Sequence, residues 1–190
     1  MLVRNAFIFH GIYGHPGENW YPWMQRELEK LGFVVCIPHF PTIEPVTPLK
    51  AWQDVYAEID DQINSESILI GHSLGAAAAL NILEKHTVRA AFLIAPAVLK
   101  TDNEFTTVMH EIADQNFDFE TIRKHCRSIE IWHADNDPYL PLTVAQTLAA
   151  HLKIEVTLVS GAGHMNSNAG YTEFPKLLEQ VVACEESMSS

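Results

Sequence analysis

The most constraining feature of this chain is a Gly-His-Ser-Leu-Gly pentapeptide at residues 71–75, which fits the pattern Gly-x-Ser-x-Gly. The apolar run before it, residues 67–70, predicts a buried strand, and the alanines after it, residues 76–79, predict a thin helix that lies close on a sheet. A sharp strand-to-helix turn exposes and aims a serine hydroxyl, which is otherwise a poor nucleophile. The sequence therefore predicts a nucleophile elbow carrying Ser73. The alternative is an ordinary turn with an incidental serine.

Small residues and backbone N–H groups around this turn fit a site that stabilises negative charge. Gly71 and Gly75 avoid side-chain collisions where the strand doubles back into the helix. Leu74, at the start of the helix, would offer its N–H to a developing oxyanion. A second donor is expected in the loop after the first predicted strand, where Gly11 permits a close approach of the Ile12 N–H.

Predicted strands and helices alternate along the 190 residues. Apolar runs predict strands at residues 6–9, 33–37, 67–70, 88–95, 128–133 and 154–159. Helical spacing or composition predicts helices at about 18–31, 49–63, 74–86, 142–152 and 172–184. This alternation predicts an α/β fold in one domain, residues 1–190, with a six-stranded, mostly parallel sheet and helices on both faces. Since ligands of such sheets bind beyond the carboxyl ends of the strands, the loops after strands one, three, five and six should hold the chemistry.

The segment at residues 100–127 departs from the alternation because acidic residues are mixed with large apolar ones. One or two short helices are expected there. Two interpretations stay open. The segment is either a crossover with a solvated acidic face or a small lid whose apolar side lines a substrate pocket.

The base and acid that a serine nucleophile needs are expected in the last two loops. His164 follows the last predicted strand in a glycine-containing loop that could fold back over the pocket, so it is the predicted base. Asp135 and Asp137, after the fifth strand, are both candidates for the acid, although either could instead form a turn. Asp137 is favoured because Pro138 and Pro141 stiffen its position.

Composition argues against several other classes of protein. A net charge of -12 disfavours nucleic acid as a partner. The cysteines, Cys36, Cys126 and Cys184, lack the spacing of a disulfide framework or a zinc site and favour a reducing compartment. Residues 1–9 make a poor signal peptide because Arg4 interrupts their apolar run, and no apolar stretch is long enough to span a bilayer. We therefore expect a cytoplasmic protein without a membrane or nucleic-acid partner, and leave protein partners open.

Four motifs, each after a predicted strand, resemble those of α/β-hydrolases. They are His-Gly-x-x-Gly at 10–14, Gly-His-Ser-Leu-Gly at 71–75, Asp-Pro-Tyr-Leu-Pro at 137–141 and Gly-x-Gly-His at 161–164. With its small size and the Asn-Trp-Tyr-Pro-Trp segment at 19–23, the chain is similar nearly end to end to the compact serine hydrolases of the retinoblastoma-binding protein 9 and YdeN group. The resemblance implies a triad of Ser73, Asp137 and His164 and an oxyanion hole from Ile12 and Leu74. It also implies hydrolysis of small carboxyl esters or related acyl compounds, with no cofactor and no metal.

The chain also departs from the family pattern, since the first two strands that are usual in larger relatives are absent. It has no long cap insertion, which implies a shallow pocket for short acyl groups with Tyr13, Trp20, Phe105 and Tyr139 as walls. Ala134 stands where many relatives have glycine, so the choice between the two aspartates stays open.

Two other functions remain compatible with the sequence, because a fold by itself does not decide function. One is a protein-interaction module on a hydrolase scaffold that has lost its activity. The other is amide or thioester hydrolysis by the same three residues.

Overall fold

The computed structural model describes residues 2–99 and 104–187. Its strands are β1 (Asn5–Phe9), β2 (Val34–Cys36), β3 (Ile68–His72), β4 (Val88–Ile94), β5 (Cys126–Ala134) and β6 (Val156–Val159). Within the described residues these six strands form one sheet in the order β2-β1-β3-β4-β5-β6, and every neighbouring pair is parallel. The predicted six-stranded parallel sheet is therefore confirmed, and the carboxyl ends of all its strands lie at one edge.

Helices cover both faces of the sheet, as predicted. They are α1 (Tyr21–Lys30), α2 (Leu49–Ile59), α3 (Gly75–Leu83), α4 (Thr106–Ala113), α5 (Phe119–His125), α6 (Leu142–Leu152) and α7 (Pro175–Ser187). Residues of α1 and α7 pack on one face of the sheet, and residues of α2 to α6 pack on the other. In the described part of the chain, no helix is both long and apolar enough to cross a membrane.

The two cores meet the sheet through alternating strand residues. In β1, Phe7 and Phe9 face the core that contains α3, whereas Ala6 and Ile8 face the core that contains α1. Side chains of a strand point alternately to opposite faces, so a strand covered on both sides must be apolar throughout. The alanines at 76–79 are all fully buried, which lets α3 lie close to the strands.

Two predicted helices begin later than their apolar spacing indicates, and backbone geometry explains both. The helix predicted from residue 18 begins at Tyr21, because Asn19 has a φ of 53° and cannot belong to a right-handed helix. Pro22 lies in its first turn, where a missing N–H costs nothing. The helix predicted from residue 172 begins at Pro175, because a proline disfavours the helical conformation for the residue before it.

Gly75 marks the closest approach of α3 to β1. A Cβ atom on this residue would lie 2.6 Å from the carbonyl carbon of Phe9 and 2.8 Å from the carbonyl oxygen of His10. We expect Gly75→Ala to lower the free energy of unfolding by about 3 kcal/mol, because backbone atoms must move to make room. Gly17→Ala is the control, since its Cβ would contact only the His15 ring, at 3.3 Å. Urea denaturation of both variants checks this, and equal stability of the two would refute the packing argument.

Candidate active site

Ser73 occupies a sharp turn between β3 and α3. Its φ of 55° is a left-handed conformation that is strained for a residue with a side chain. Hydrogen bonds hold it there: the N–H of Ser73 donates to the carbonyl of Ile94 at 2.9 Å, and its carbonyl accepts from Ala76 and Ala97, each at 3.0 Å. The elbow is therefore fixed both by the first turn of α3 and by the end of the neighbouring strand.

His164 and Asp137 are hydrogen-bonded although they come from different loops. His164 Nδ1 lies 2.7 Å from Asp137 Oδ2, and the Asp137 side chain is fully buried. The other carboxylate oxygen, Oδ1, accepts the N–H groups of Tyr139 at 2.9 Å and Leu140 at 3.1 Å. Burial alone would raise the pKa of Asp137, but the hydrogen bonds from His164 and these two N–H groups outweigh it and hold the pKa below its usual value. The carboxyl group is therefore ionised at neutral pH.

The hydrogen bond to Asp137 fixes the tautomer of His164. An ionised carboxylate only accepts hydrogen bonds, so the proton of the neutral imidazole lies on Nδ1. Nε2 then carries a lone pair, which is what a general base needs. Ser73 and His164 line the same cavity, whose volume is about 290 Å³. The structure thus brings the hydroxyl, the imidazole and the carboxylate to one edge of the sheet.

Asp135, the other candidate for the acid, has different contacts. Its carboxylate accepts the hydroxyl of Ser160 at 2.7 Å and the N–H of Gly161 at 2.8 Å. The hydrogen bond from Gly161, with that from Ser160, holds the pKa of Asp135 below its usual value. The neighbouring Asn136 accepts the N–H of Gly163 at 2.8 Å. Asp135 therefore anchors the loop that carries the histidine, while Asp137 is the aspartate that contacts the ring.

The two predicted oxyanion donors flank the elbow. Among the described residues, no protein group accepts the N–H of Ile12 or that of Leu74. The first loop comes very close to the serine, since a Cβ on Gly11 would lie 2.9 Å from the Cβ of Ser73 and 3.2 Å from its hydroxyl oxygen. A glycine at position 11 is therefore required for this approach.

Three of the four predicted pocket walls line the cavity with Ser73. The ring of Phe105 lies between those of Tyr139, at 5.7 Å, and Tyr13, at 6.2 Å, measured between centroids. The prediction for Trp20 is wrong. Its side chain is fully buried in the core beside α1, where its Nε1 donates to the carbonyl of Met165 at 2.9 Å. An indole buried on all sides needs such an acceptor, and the core supplies one.

The segment predicted as either a crossover or a lid contributes directly to the cavity. Phe105 and Met109, at the start of α4, both line it, whereas α5 packs beside α3 and α6. Residues 100–103 of this segment lie outside the described residues. Phe105, just before α4, and Met109, within it, are thus part of the cavity wall, and the lid stays a prediction.

Two buried histidines have structural roles next to the site. His72 donates from Nε2 to the carbonyl of His164 at 2.8 Å and accepts at Nδ1 from the hydroxyl of Tyr21 at 2.6 Å. His10 donates from Nδ1 to the carbonyl of the next residue at 2.8 Å and accepts a backbone N–H at Nε2. Both rings therefore fix loops of the site, and this use of both nitrogens requires them to be neutral.

These two rings make stability depend on pH. Burial is the main cause that lowers the pKa of His72 from 6.5 to about 3 and that of His10 to about 4. Between pH 6.5 and 4 the unfolded chain then binds protons that the folded chain does not. The neutral rings therefore contribute to the free energy of unfolding in full above pH 6.5. This contribution is lost as the pH falls, by about 1.4 kcal/mol per pH unit for each ring.

We therefore expect the free energy of unfolding to fall by about 4 kcal/mol between pH 7.5 and pH 5.0. Urea denaturation at the two pH values measures it. His72→Gln should reduce this dependence by roughly half, whereas His110→Gln, at an exposed position of α4, should leave it unchanged. A wild-type protein equally stable at both pH values would refute the assignment of neutral buried rings.

His133 is a residue that sequence reasoning passed over as the end of a strand. Its side chain is fully buried, and Nδ1 lies 3.8 Å from Asp137 Oδ2. Burial lowers its pKa despite the opposing effect of Asp137, so the ring is neutral. This neutral ring lies beside the carboxylate of Asp137. The signal available in the sequence was its position at the carboxyl end of β5, four residues before Asp137.

The chain is similar to known proteins in both sequence and fold. A model of the serine hydrolase family matches residues 6–183. YdeN of Bacillus subtilis is 23% identical over 177 residues, covering 92% of each chain. The serine hydrolase RBBP9 of Rattus norvegicus is 27% identical over 165 residues, covering 86% of this chain and 85% of the relative. The crystal structure of the B. subtilis ydeN gene product superposes with a TM-score of 0.86 at 20% identity and covers 97% of this chain and 100% of that one.

The family match spans nearly the whole chain and includes all four loops at the carboxyl edge of the sheet. The solved structure shares the fold across the same length. The resemblance expected from the sequence motifs is therefore confirmed, and this chain belongs to the serine hydrolase family.

Proposed function

We propose that the protein hydrolyses small carboxyl esters through an acyl-enzyme formed on Ser73. The observation that carries this proposal is the 2.7 Å hydrogen bond between His164 and the buried Asp137, beside a cavity that His164 shares with Ser73. An oriented imidazole that lines the same cavity as a half-buried serine at a strained turn supports nucleophilic acyl transfer.

In the proposed reaction, Nε2 of His164 removes the hydroxyl proton of Ser73 as the oxygen attacks the ester carbonyl. The ionised Asp137 stabilises the imidazolium that forms. The N–H groups of Ile12 and Leu74 would donate to the oxyanion of the tetrahedral intermediate. Collapse of that intermediate releases the alcohol, and water then hydrolyses the acyl-enzyme.

The size and lining of the cavity indicate the class of acyl group. A volume of about 290 Å³ is near the lower limit of ligand pockets, which is about 300 Å³. The walls away from Ser73 are mainly apolar, with Phe105, Met109 and Leu140 among them. Such a site favours short acyl chains over long ones and over charged ones.

A series of 4-nitrophenyl esters tests the proposal. We expect acetate and butyrate to be hydrolysed with a higher kcat/KM than octanoate, and palmitate to be a poor substrate. A pre-steady-state burst of 4-nitrophenol, one equivalent per chain, is expected if hydrolysis of the acyl-enzyme limits turnover. A matched thioester and a matched anilide show whether another acyl bond is preferred. Folded protein that cleaves none of these compounds would favour an interaction module on an inactive scaffold.

A further inference from the structure

A second cavity, of about 260 Å³, also contains Ser73 and His164 in its wall. Ile12, Ser73, His164, Asn166 and Asn168 line both cavities, which differ in their other walls. In the first these are mainly aromatic or aliphatic, whereas in the second they include Glu18, Asn19 and Tyr21. A substrate bound at Ser73 therefore has an apolar space beside one part of it and a polar space beside another.

The polar wall is held in place by hydrogen bonds between separate loops. Asn19 Oδ1 accepts the N–H of Ser167 at 2.8 Å, which ties the loop before α1 to the turn that follows His164. Glu18 Oε1 accepts the N–H of His15 at 3.2 Å and the side-chain amide of Asn19 at 3.5 Å. The Glu18 side chain is 33% exposed, so its carboxylate stays accessible from the cavity.

This wall determines which chemical groups the second cavity favours. A carboxylate accepts hydrogen bonds, so Glu18 would bind hydroxyl groups and repel anions. The net charge of -12 disfavours anions further. Hydroxyl groups would find hydrogen-bond partners there. An alkyl chain would displace water from the polar wall without replacing its hydrogen bonds.

We propose that this polar cavity, lined by Glu18, Asn19 and Ser167, binds the alcohol part of the ester, and that this alcohol carries further hydroxyl groups, as glycerol does. The inference rests on the proposed function and names its substrate class: an ester of a short apolar acid with a polyol. The apolar cavity holds the acyl group, and the polar cavity holds the part that leaves.

The assignment also fits the order of steps. In acylation, the bond between the carbonyl carbon and the alcohol oxygen breaks, and this oxygen takes the proton that His164 removed from Ser73. Departure of the polyol opens a polar space next to the acyl-enzyme, which water can enter. That water gives a proton to His164 and its oxygen bonds to the carbonyl carbon. The acid is then released and the proton returns to Ser73.

Two esters with the same acyl group test the proposal: 1-butyl butyrate and glycerol 1-butyrate. We expect the wild-type enzyme to show a kcat/KM about tenfold higher for the glycerol ester, the effect of one or two hydrogen bonds. Glu18→Ala should bring the ratio of the two values close to one, and Glu18→Gln should lower it partly. Glu29→Gln, which removes the same charge at an exposed position of α1, should keep the wild-type ratio.

The ratio separates this inference from the proposed function. Because the two esters have the same acyl group, damage to Ser73 or to folding lowers both kcat/KM values equally. Their ratio is then unchanged. A wild-type ratio near one, or a ratio unchanged in both Glu18 variants, would overturn the polyol assignment while hydrolysis of 4-nitrophenyl butyrate continued to support the proposed function. Loss of all ester hydrolysis in the wild-type protein would overturn both.

Discussion

Replacing Ser73 by alanine is expected to lower kcat for 4-nitrophenyl butyrate by about six orders of magnitude. The variant keeps the cavity, the oxyanion donors and the Asp137–His164 pair, but it has no oxygen that can form the acyl-enzyme. The remaining rate should come only from binding and oxyanion stabilisation by the intact site. Stopped-flow assays of the wild-type protein and long incubations of the variant together cover this difference in kcat.

The double variant Ser73→Ala/His164→Ala sharpens this expectation. Since the hydroxyl and the imidazole act as a unit, removing the imidazole as well should lower kcat almost no further. Ser65→Ala is the matched control, because Ser65 lies before β3 at the amino edge of the sheet and should keep full activity. Additive losses in the double variant would show that the two residues act independently.

Replacing Asp137 by asparagine is expected to lower kcat by about four orders of magnitude. The amide oxygen of asparagine can still accept the N–H groups of Tyr139 and Leu140, so the loop should keep its shape. Its NH2 group would face Nδ1 of His164, however, and stabilise the tautomer that carries its proton on Nε2. That tautomer cannot accept the proton of Ser73.

The matched control is Asp135→Asn, two residues away in the same loop. Asp135 contacts the loop of His164 through Ser160 and Gly161 and not the imidazole, so we expect its loss to reduce kcat by less than about tenfold, as removal of one or two ordinary hydrogen bonds would. A larger loss in Asp135→Asn than in Asp137→Asn would reverse the assignment of the acid.

The sheet and the order of the site loops were predictable because they depend on local patterns. Apolar runs define the strands, and a parallel sheet brings the loops after their carboxyl ends together. Ser73 was identifiable because its turn needs glycines at fixed positions, and His164 because it follows the last strand. The choice between Asp135 and Asp137 was harder, since both lie in one short loop and only the side-chain contacts of the folded chain distinguish them.

The walls of the site were less predictable because they come from distant segments. Trp20 was expected as a wall of a shallow pocket, but α1 begins only at Tyr21 and the indole is buried in the core. The polar cavity depends on a contact between Asn19 and Ser167, which no local pattern reveals. His133 lies at the carboxyl end of β5, but its burial beside Asp137 is visible only in the folded chain.

Covalent labelling with a fluorophosphonate, followed by peptide mass spectrometry, tests the central claim most directly. The reagent modifies a serine only where a base activates the hydroxyl and donors stabilise the adduct. We predict one adduct per chain, located on Ser73, and a much slower reaction in His164→Ala. Folded wild-type protein that stays unlabelled, or that is labelled at another residue, would contradict the assignment of Ser73 as the nucleophile.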